Sequence, residues 1–192
     1  WYVGTAAKKA GAIQADMLQN VWNIDKVNLD RNKNNKLDYI LIEGEQTHFD
    51  AVRRTNGFLE SSQNLPLNQL TNLSADWQRN LSSVKFSKLD TSIIQSAEAI
   101  ICNNDDMALG AWEALEEKGC TEVQVVGIDG IEEVRELVDE DKILGSVLCD
   151  TKLHAKALMQ FIDVLAFHNG SVEKLNLENE RYYMIPLTKV EK

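Results

Sequence analysis

Apolar positions along the chain fall into two rhythms that alternate from one end to the other. Short β-branched or aromatic runs of buried-strand character are each followed by a turn and then by a stretch with apolar residues three or four apart. Tyr2-Val3 precedes a segment with Ile13, Met17 and Val21 at four-residue steps, one buried helix face. Tyr39-Ile40-Leu41-Ile42 reads as a strand buried on both sides, and His48 to Ser61 as the next helix. Leu67 to Leu73 is a weaker strand, with a helix starting near Asp76. Ala99-Ile100-Ile101-Cys102 leads into a helix with Met107, Ala111, Trp112 and Leu115 on one face, stopped by Gly119 just past its end. A strand over Val123 to Ile128, a helix over Ile131 to Val138 and a strand over Gly145 to Leu148 follow. A long helix from Thr151 to Phe167, closed by Asn169-Gly170, and a last strand over Tyr182 to Leu187 complete the pattern. Alternating units of this length predict an α/β fold, a doubly wound and mostly parallel sheet with helices on both faces.

Composition narrows the class. The chain has 192 residues, 44% of them hydrophobic and 26% charged, the balance of a globular protein rather than a disordered one. Its 20 Lys and Arg against 30 Asp and Glu leave a net charge of −10, which disfavours binding to phosphate backbones, and no nucleic-acid partner is expected. The three cysteines are scattered and lack Cys-x-x-Cys spacing, so neither a disulfide framework nor a zinc site is predicted, and the compartment stays open. No apolar run approaches the ~20 residues of a membrane span, and the chain opens on Trp-Tyr-Val-Gly without a basic leader or cleavage signal.

In doubly wound sheets, ligands sit outside the carboxyl ends of the strands. The loops there carry His48, Asp50 and Arg54, then Trp77, then Asn103, Asn104 and Asp105, then Asp129. Planar Asp, Asn and Arg groups can each grip two neighbouring hydroxyls, and a Trp face can stack on the C–H side of a sugar ring. Taken one by one these residues have plainer readings. Asn104 and Asp105 suit helix N-caps, Asp129-Gly130 suits a turn, and His48 and Trp77 suit surface and core positions. Their coincidence on one sheet edge favours a polyhydroxylated ligand.

A second constellation runs from Asp30 to Asp38. Asp30, Asn32, Asn34 and Asp38 supply oxygens at positions 1, 3, 5 and 9 of a calcium loop, and Lys36 could ligate through its carbonyl at position 7. Asn35 takes the sixth position, where a positive φ is needed. Position 12 falls on Leu41 inside a strand, so the loop must borrow a carboxylate from elsewhere, and an EF-hand is excluded. A solvated polar turn is the alternative. No nucleophile elbow, Walker loop or Gly-x-Gly-x-x-Gly occurs, so no enzyme is predicted. His154 and His168 read as surface residues, and the acidic run from Glu132 to Asp141 reads as a solvated helix face.

Four motifs together carry a resemblance: the Asp30–Asp38 loop before a strand, Gly44-Glu45-x-x-His48-x-Asp50 with Arg54, Asn103-Asn104-Asp105-x-Met107-Ala108, and Val126-Gly127-Ile128-Asp129. In this order they resemble the bacterial periplasmic glucose/galactose-binding proteins, the receptors of ABC sugar importers that also serve chemotaxis. The resemblance implies a lobe of a type 1 periplasmic-binding fold closing on a monosaccharide, partners in a membrane permease and a chemoreceptor, and a periplasmic or extracellular location with lipid anchoring left open. It implies sugar contacts at His48, Asp50, Arg54, Trp77, Asn104 and Asp129, with Cys149 at a hinge position where the family has Asn. It also implies that Glu98 supplies the missing carboxylate to the calcium ion, completing Asp30, Asn32, Asn34, Lys36 and Asp38.

By the same resemblance the chain divides into a carboxyl-terminal sugar-binding lobe over 1–149, a hinge-crossing segment and helix over 150–181 and a returning strand over 182–192. The stripe Leu153, Ala157, Phe161, Ile162 and Leu165 then lacks its usual cover in an amino-terminal lobe, and is expected to pack on its own lobe, to pack on a second copy, or to swap. The competing reading is the effector-binding domain of a sugar-responsive repressor, which shares the fold. An α/β enzyme is the third.

Overall fold

The buried run Tyr39 to Ile42 shows why a sheet with two covered faces forms here. Successive side chains on a strand point to opposite sides. Accordingly Ile40 and Ile42 enter one apolar core with Phe86, Ile94, Met107 and Leu115, while Tyr39 and Leu41 enter a second core with Met17, Leu18 and Phe58. A strand buried on both sides must be interior to a sheet, and interior strands joined by helical crossovers run parallel.

The computed structural model describes residues 1–168, 170–172 and 175–192. In chain order its elements are β1 (Tyr2–Gly4), α1 (Ala7–Leu29), β2 (Leu37–Glu43), α2 (Phe49–Ser61), β3 (Leu67–Ser74), α3 (Arg79–Ser87), α4 (Thr91–Ser96) and β4 (Ala99–Cys102). They continue with α5 (Asp105–Lys118), β5 (Gln124–Val126), α6 (Glu132–Asp139), β6 (Gly145–Cys149), α7 (Thr151–Ala166), β7 (Tyr182–Met184) and β8 (Leu187–Glu191). A six-stranded sheet has the order β3-β2-β4-β5-β6-β8. Its first five strands are parallel and β8 is antiparallel to β6. Residues of α1 and α2 cover one face; residues of α3, α4, α5 and α6 cover the other. The predicted α/β class and two-sided sheet are what the structure shows.

Several boundaries differ from expectation, each for a physical reason. The expected last strand splits in two. Residues Tyr182–Met184 pair with β1 in a separate two-stranded sheet. Pro186, which has no N–H to give to a ladder, then separates them from β8, which closes the large sheet at Gly145–Cys149. The strand expected over Val123 to Ile128 is ladder-paired only at Gln124–Val126, although Asp129 bridges to Leu148 beyond it. The helix expected near Asp76 starts at Arg79 because Asp76 and Trp77 take positive φ angles of 47° and 67°. The short α4 was not foreseen; its Asp90 cap accepts the Ser92 N–H at 2.9 Å. The expected stop at Asn169-Gly170 involves Asn169, which lies outside the described residues.

Helix α7 lies against the small sheet rather than the large one. His154 Nε2 lies 3.0 Å from the Val3 carbonyl, and Phe161 meets Tyr183 edge-to-face at 5.8 Å. Of the apolar stripe, Ala157 and Phe161 are buried, whereas Leu153, Ile162 and Leu165 stay substantially exposed, together with Met159 and Phe167. The acidic face of α6 is exposed as expected, while Val134 and Val138 on its other side are buried; Glu133 of α6 and Glu113 of α5 both pair with Arg79.

Candidate functional site

All five parallel strands of the large sheet end at one edge, and the chain turns there into the amino termini of α2 and α5. His48 caps α2, its ring Nδ1 accepting the Asp50 N–H at 3.2 Å. Asn104 caps α5, its Oδ1 accepting the Met107 N–H at 3.0 Å while Nδ2 donates to the Trp77 carbonyl at 3.3 Å. The cap reading of Asn104 is therefore correct and does not exclude a second role. The same residue faces a cleft.

That cleft, about 290 Å³, is lined by His48, Asp50, Arg54, Trp77, Asn104 and Asp129. Six of the seven expected ligand-contacting residues are thus brought together. The His48 ring meets Trp77 edge-to-face at 5.2 Å, and the Arg54 guanidinium sits 5.6 Å from the Trp77 ring centre. Arg54 is anchored by donating to the Asn103 carbonyl at 2.6 Å, and its Nη1 lies 3.5 Å from Asp129 Oδ1. The seventh residue, Cys149, is placed differently. It lines a neighbouring cavity of about 350 Å³ whose wall it shares with the cleft only through Asp129. The backbone explains this. Cys149 N–H donates to the Asp129 carbonyl at 3.0 Å, which sets the two residues side by side along a strand edge.

The electrostatics are those of a half-desolvated polar site. Burial pushes the Asp129 carboxyl up to about 6; the Arg54 cation opposes the rise and Asp105 and Asp106 add to it. Burial likewise lifts the Cys149 thiol to about 11, with the Asp129 charge adding to the rise, so that thiol is neutral at pH 7.

Trp77 is held in its strained turn by a tight fit. A Cβ placed on Gly44 would lie 2.6 Å from Trp77 Cδ2. Gly44→Ala is accordingly expected to displace the indole from the cleft. Its loss of ring-current shift on the His48 ring protons, read by NMR, checks this; an unchanged shift would count against the packing.

Sequence reasoning placed Asn103 at the strand ends but missed its supporting role beneath the cleft, and it missed Gln14. Asn103 is fully buried, its Oδ1 accepting the Gly44 N–H at 3.1 Å and its Nδ2 donating to Thr55 at 3.1 Å. Gln14, also fully buried, donates from Nε2 to the carbonyls of Cys102 at 2.8 Å and Gly127 at 3.1 Å, tying together the ends of β4 and β5. Only a buried position would have singled it out, because a polar residue on the apolar face of α1 otherwise reads as noise in the helical period.

At the opposite edge the loop from Asp30 to Lys36 wraps on itself. Asp30 Oδ1 and Oδ2 accept the N–H groups of Asn34 and Asn35 at 3.0 Å each, and Asn35 has the positive φ, 60°, that its position requires. The amides of Asn32, Asn34 and Asn68 all donate to Asp38. Lys36 N–H donates to Asn34 Oδ1 at 2.7 Å. Glu98 is 1% exposed and closes the loop across 60 residues, accepting from Arg31 N at 2.7 Å and Asp38 N at 3.0 Å. Burial pushes its carboxyl upward, and these N–H groups pull it back.

All five side chains expected to surround a cation are therefore assembled at one loop. Among the described residues, no three Asp, Glu, His or Cys side chains converge closely enough to form a metal cage. Main-chain N–H groups occupy the carboxylate oxygens of Asp30 and Glu98 instead, and side-chain amides occupy those of Asp38. The donor set still suits a hard cation by its chemistry, since Asp30, Asp38 and Glu98 are buried and pair with no Lys or Arg among the described residues.

A family model described as "Periplasmic binding protein domain" matches residues 1–169. The chain belongs to the periplasmic binding protein family. Within it, the chain is 33% identical over 196 positions to the D-galactose/methyl-galactoside binding periplasmic protein MglB of Haemophilus influenzae, covering 100% of this chain and 59% of the relative. It is 32% identical over 112 residues to the D-allose-binding periplasmic protein of Escherichia coli, covering 56% of this chain and 35% of the relative. Among solved structures it resembles an ABC transporter periplasmic solute binding protein of Actinobacillus succinogenes 130z with bound D-allose. There the TM-score is 0.79 at 20% identity over 99% of this chain and 60% of that one, a likeness of fold. The chain thus spans less than two thirds of the length of these periplasmic binding relatives.

Proposed function

We propose that this chain is part of the sugar-capturing component of an ABC importer, working in the periplasm or at the extracellular face, and that it binds a glucose- or galactose-like monosaccharide without catalysis. The observation that supports this best is the convergence of His48, Asp50, Arg54, Trp77, Asn104 and Asp129 on one cleft in a member of this family. In this reading Asp50, Asn104 and Asp129 exchange hydrogen bonds with ring hydroxyls, Arg54 donates to them, and Trp77 stacks on the ring. The relative of Haemophilus influenzae, named for galactose and methyl-galactoside, supports the choice of hexose. Cys149, neutral and one cavity away, does not replace a family Asn as a direct partner; it borders the ligand through Asp129.

A calcium ion completes the proposal. It would be held by Asp30, Asn32, Asn34, the Lys36 carbonyl, Asp38 and Glu98, and it would supply the positive charge that these buried carboxylates otherwise lack. The division into a lobe over 1–149, a hinge-crossing segment over 150–181 and a returning segment over 182–192, which the fold splits into β7 and β8, belongs to the same reading. So do partners in a permease and a chemoreceptor, lipid anchoring as an open variable, and self-association through the exposed apolar residues of α7. A repressor effector domain is not favoured, since relatives that match include binding proteins named for import or for the periplasm.

The cleft presents one wall to a bound ring, so affinity for D-galactose is expected to be weak, on the order of millimolar. Asp129 must be ionised to accept from two hydroxyls while facing Arg54. With its carboxyl raised to about 6, binding should be full near pH 7.5 and decline as pH falls through about 6. Titration of D-galactose followed by the Trp77 indole NMR signal tests both points. No shift of that signal at any sugar concentration would sink the proposed site; pH-independent binding would remove Asp129 from it.

A further inference from the structure

Asp105 is fully buried and forms no ion pair among the described residues. A carboxylate in that situation is costly unless hydrogen bonds satisfy it. It is not the helix cap, because its neighbour Asn104 takes the Met107 N–H. Instead its side chain turns inward. Oδ1 accepts the Ser146 hydroxyl at 2.6 Å and Oδ2 accepts the Ile131 N–H at 2.9 Å. Ser146 Oγ in turn accepts the Gly130 N–H at 3.1 Å, and the Asp105 N–H donates to the Ile128 carbonyl at 2.7 Å. Apart from Ser146 on β6, every partner lies in the four-residue turn from Ile128 to Ile131. That turn carries Asp129.

The turn needs such support. Asp129 has φ 127° and Gly130 φ 68°, and a side-chain-bearing residue at a positive φ of that size holds only where its surroundings over-determine it. Room for the strut is made by Gly127, where a Cβ would collide with the Asp105 carboxylate. On the other side, Asp129 N–H donates to Val147 at 2.9 Å. The carboxylate that faces the cleft is therefore presented by a strained turn clamped from two sides.

We propose that Asp105, acting through Ser146 and the Gly130 and Ile131 amides, is the positioning residue that sets Asp129 toward the sugar. The inference rests on the sugar-binding reading of the cleft. Asp105 also acts on Asp129 through charge. The groups facing Asp129 are Arg54 from α2, Asp105 and Asp106 from α5, and Cys149 from β6. Of these, Arg54 holds its carboxyl down while Asp105 and Asp106 raise it.

Two variants of the full chain separate the geometric and electrostatic effects. Asp105→Asn removes the charge and turns an N–H either against the Ile131 N–H or toward the Ser146 hydroxyl, which then loses its acceptor. Ser146→Ala keeps the charge and removes the bridge. Both are expected to weaken D-galactose binding about tenfold, the effect of one lost buried hydrogen bond. Both should cost about tenfold in hydrogen-exchange protection, Asp105→Asn at Ile131 and Ser146→Ala at Gly130. Only Asp105→Asn should lower the pH midpoint of the Asp129 carboxyl, followed by ¹³C NMR in the ligand-free protein. Should Asp105→Asn fail to fold, Ser146→Ala alone decides the geometry. Wild-type affinity and protection in the folded variants would overturn the proposal. If the wild type ignores D-galactose while the turn amides lose protection, the sugar reading fails and the strut stands.

Discussion

Gly11→Ala is expected to lower the stability of the folded chain by about 3 kcal/mol, the upper range for forcing extra volume into a closed contact. It should also weaken D-galactose binding, though the residue lies outside the cleft. Helices α1 and α2 meet through two glycines. A Cβ on Gly11 would overlap the Arg54 carbonyl oxygen and come within 2.7 Å of Phe58 N, and one on Gly57 would overlap the Lys8 carbonyl oxygen and come within 2.8 Å of its carbonyl carbon. These are main-chain atoms of regular helices, which cannot rotate away as a side chain can, so the helices must separate. Asp50 and Arg54 ride on α2, and displacement of that helix moves them against Trp77 and Asp129. For a chain of this size, ~3 kcal/mol corresponds to a fall of roughly 6–12 °C in Tm. Thermal unfolding followed by circular dichroism measures it, and a wild-type Tm would show that the contact is looser than the geometry implies.

If the loop holds calcium as proposed, removal of the ion is expected to have an effect of similar or greater size. An ion that binds only the folded state stabilises it by RT ln(1 + [L]/Kd), about 4 kcal/mol at a thousandfold excess over Kd. EGTA should then lower Tm by roughly 8–16 °C. Glu98→Gln provides the internal control. The amide keeps one acceptor oxygen but turns an N–H toward the Arg31 or Asp38 N–H that the carboxylate now satisfies. The variant should be less stable by about 1–3 kcal/mol even without metal, and its Tm should no longer respond to calcium or EGTA. An equal response in wild type and Glu98→Gln would exclude Glu98 as a ligand. No response in either would leave the loop as a hydrogen-bonded turn closed by Glu98 alone.

Much of the cleft was legible in the sequence for a simple reason. In a parallel sheet every strand ends at the same edge, so residues just after the strands are neighbours whatever their separation along the chain. His48, Asp50, Arg54, Trp77, Asn104 and Asp129 needed only that rule. Asp105 illustrates the limit. Next to a capping Asn it reads as a second cap, and only its burial against Ser146, 41 residues on, reveals the strut. Gln14 is a similar case, because the carbonyls it joins belong to strands more than 80 residues away.

The sequence by itself determined the alternation of strands and helices, the two-sided burial of Tyr39 to Ile42, the set of polar groups at the strand ends and the oxygen-rich spacing of the Asp30–Asp38 loop. These are local properties, set by side-chain periodicity and by residue chemistry at a few consecutive positions. The tertiary structure decided the rest. It divided the final strand at Pro186, sending Tyr182–Met184 to β1 and Leu187–Glu191 to β6. It placed Cys149 in the neighbouring cavity, turned Asp105 inward and let Glu98 close a loop 60 residues before it. In each of these the outcome depends on which distant strand edge or buried amide lies opposite, and that is settled by strand order and packing in space rather than by any pattern along the chain.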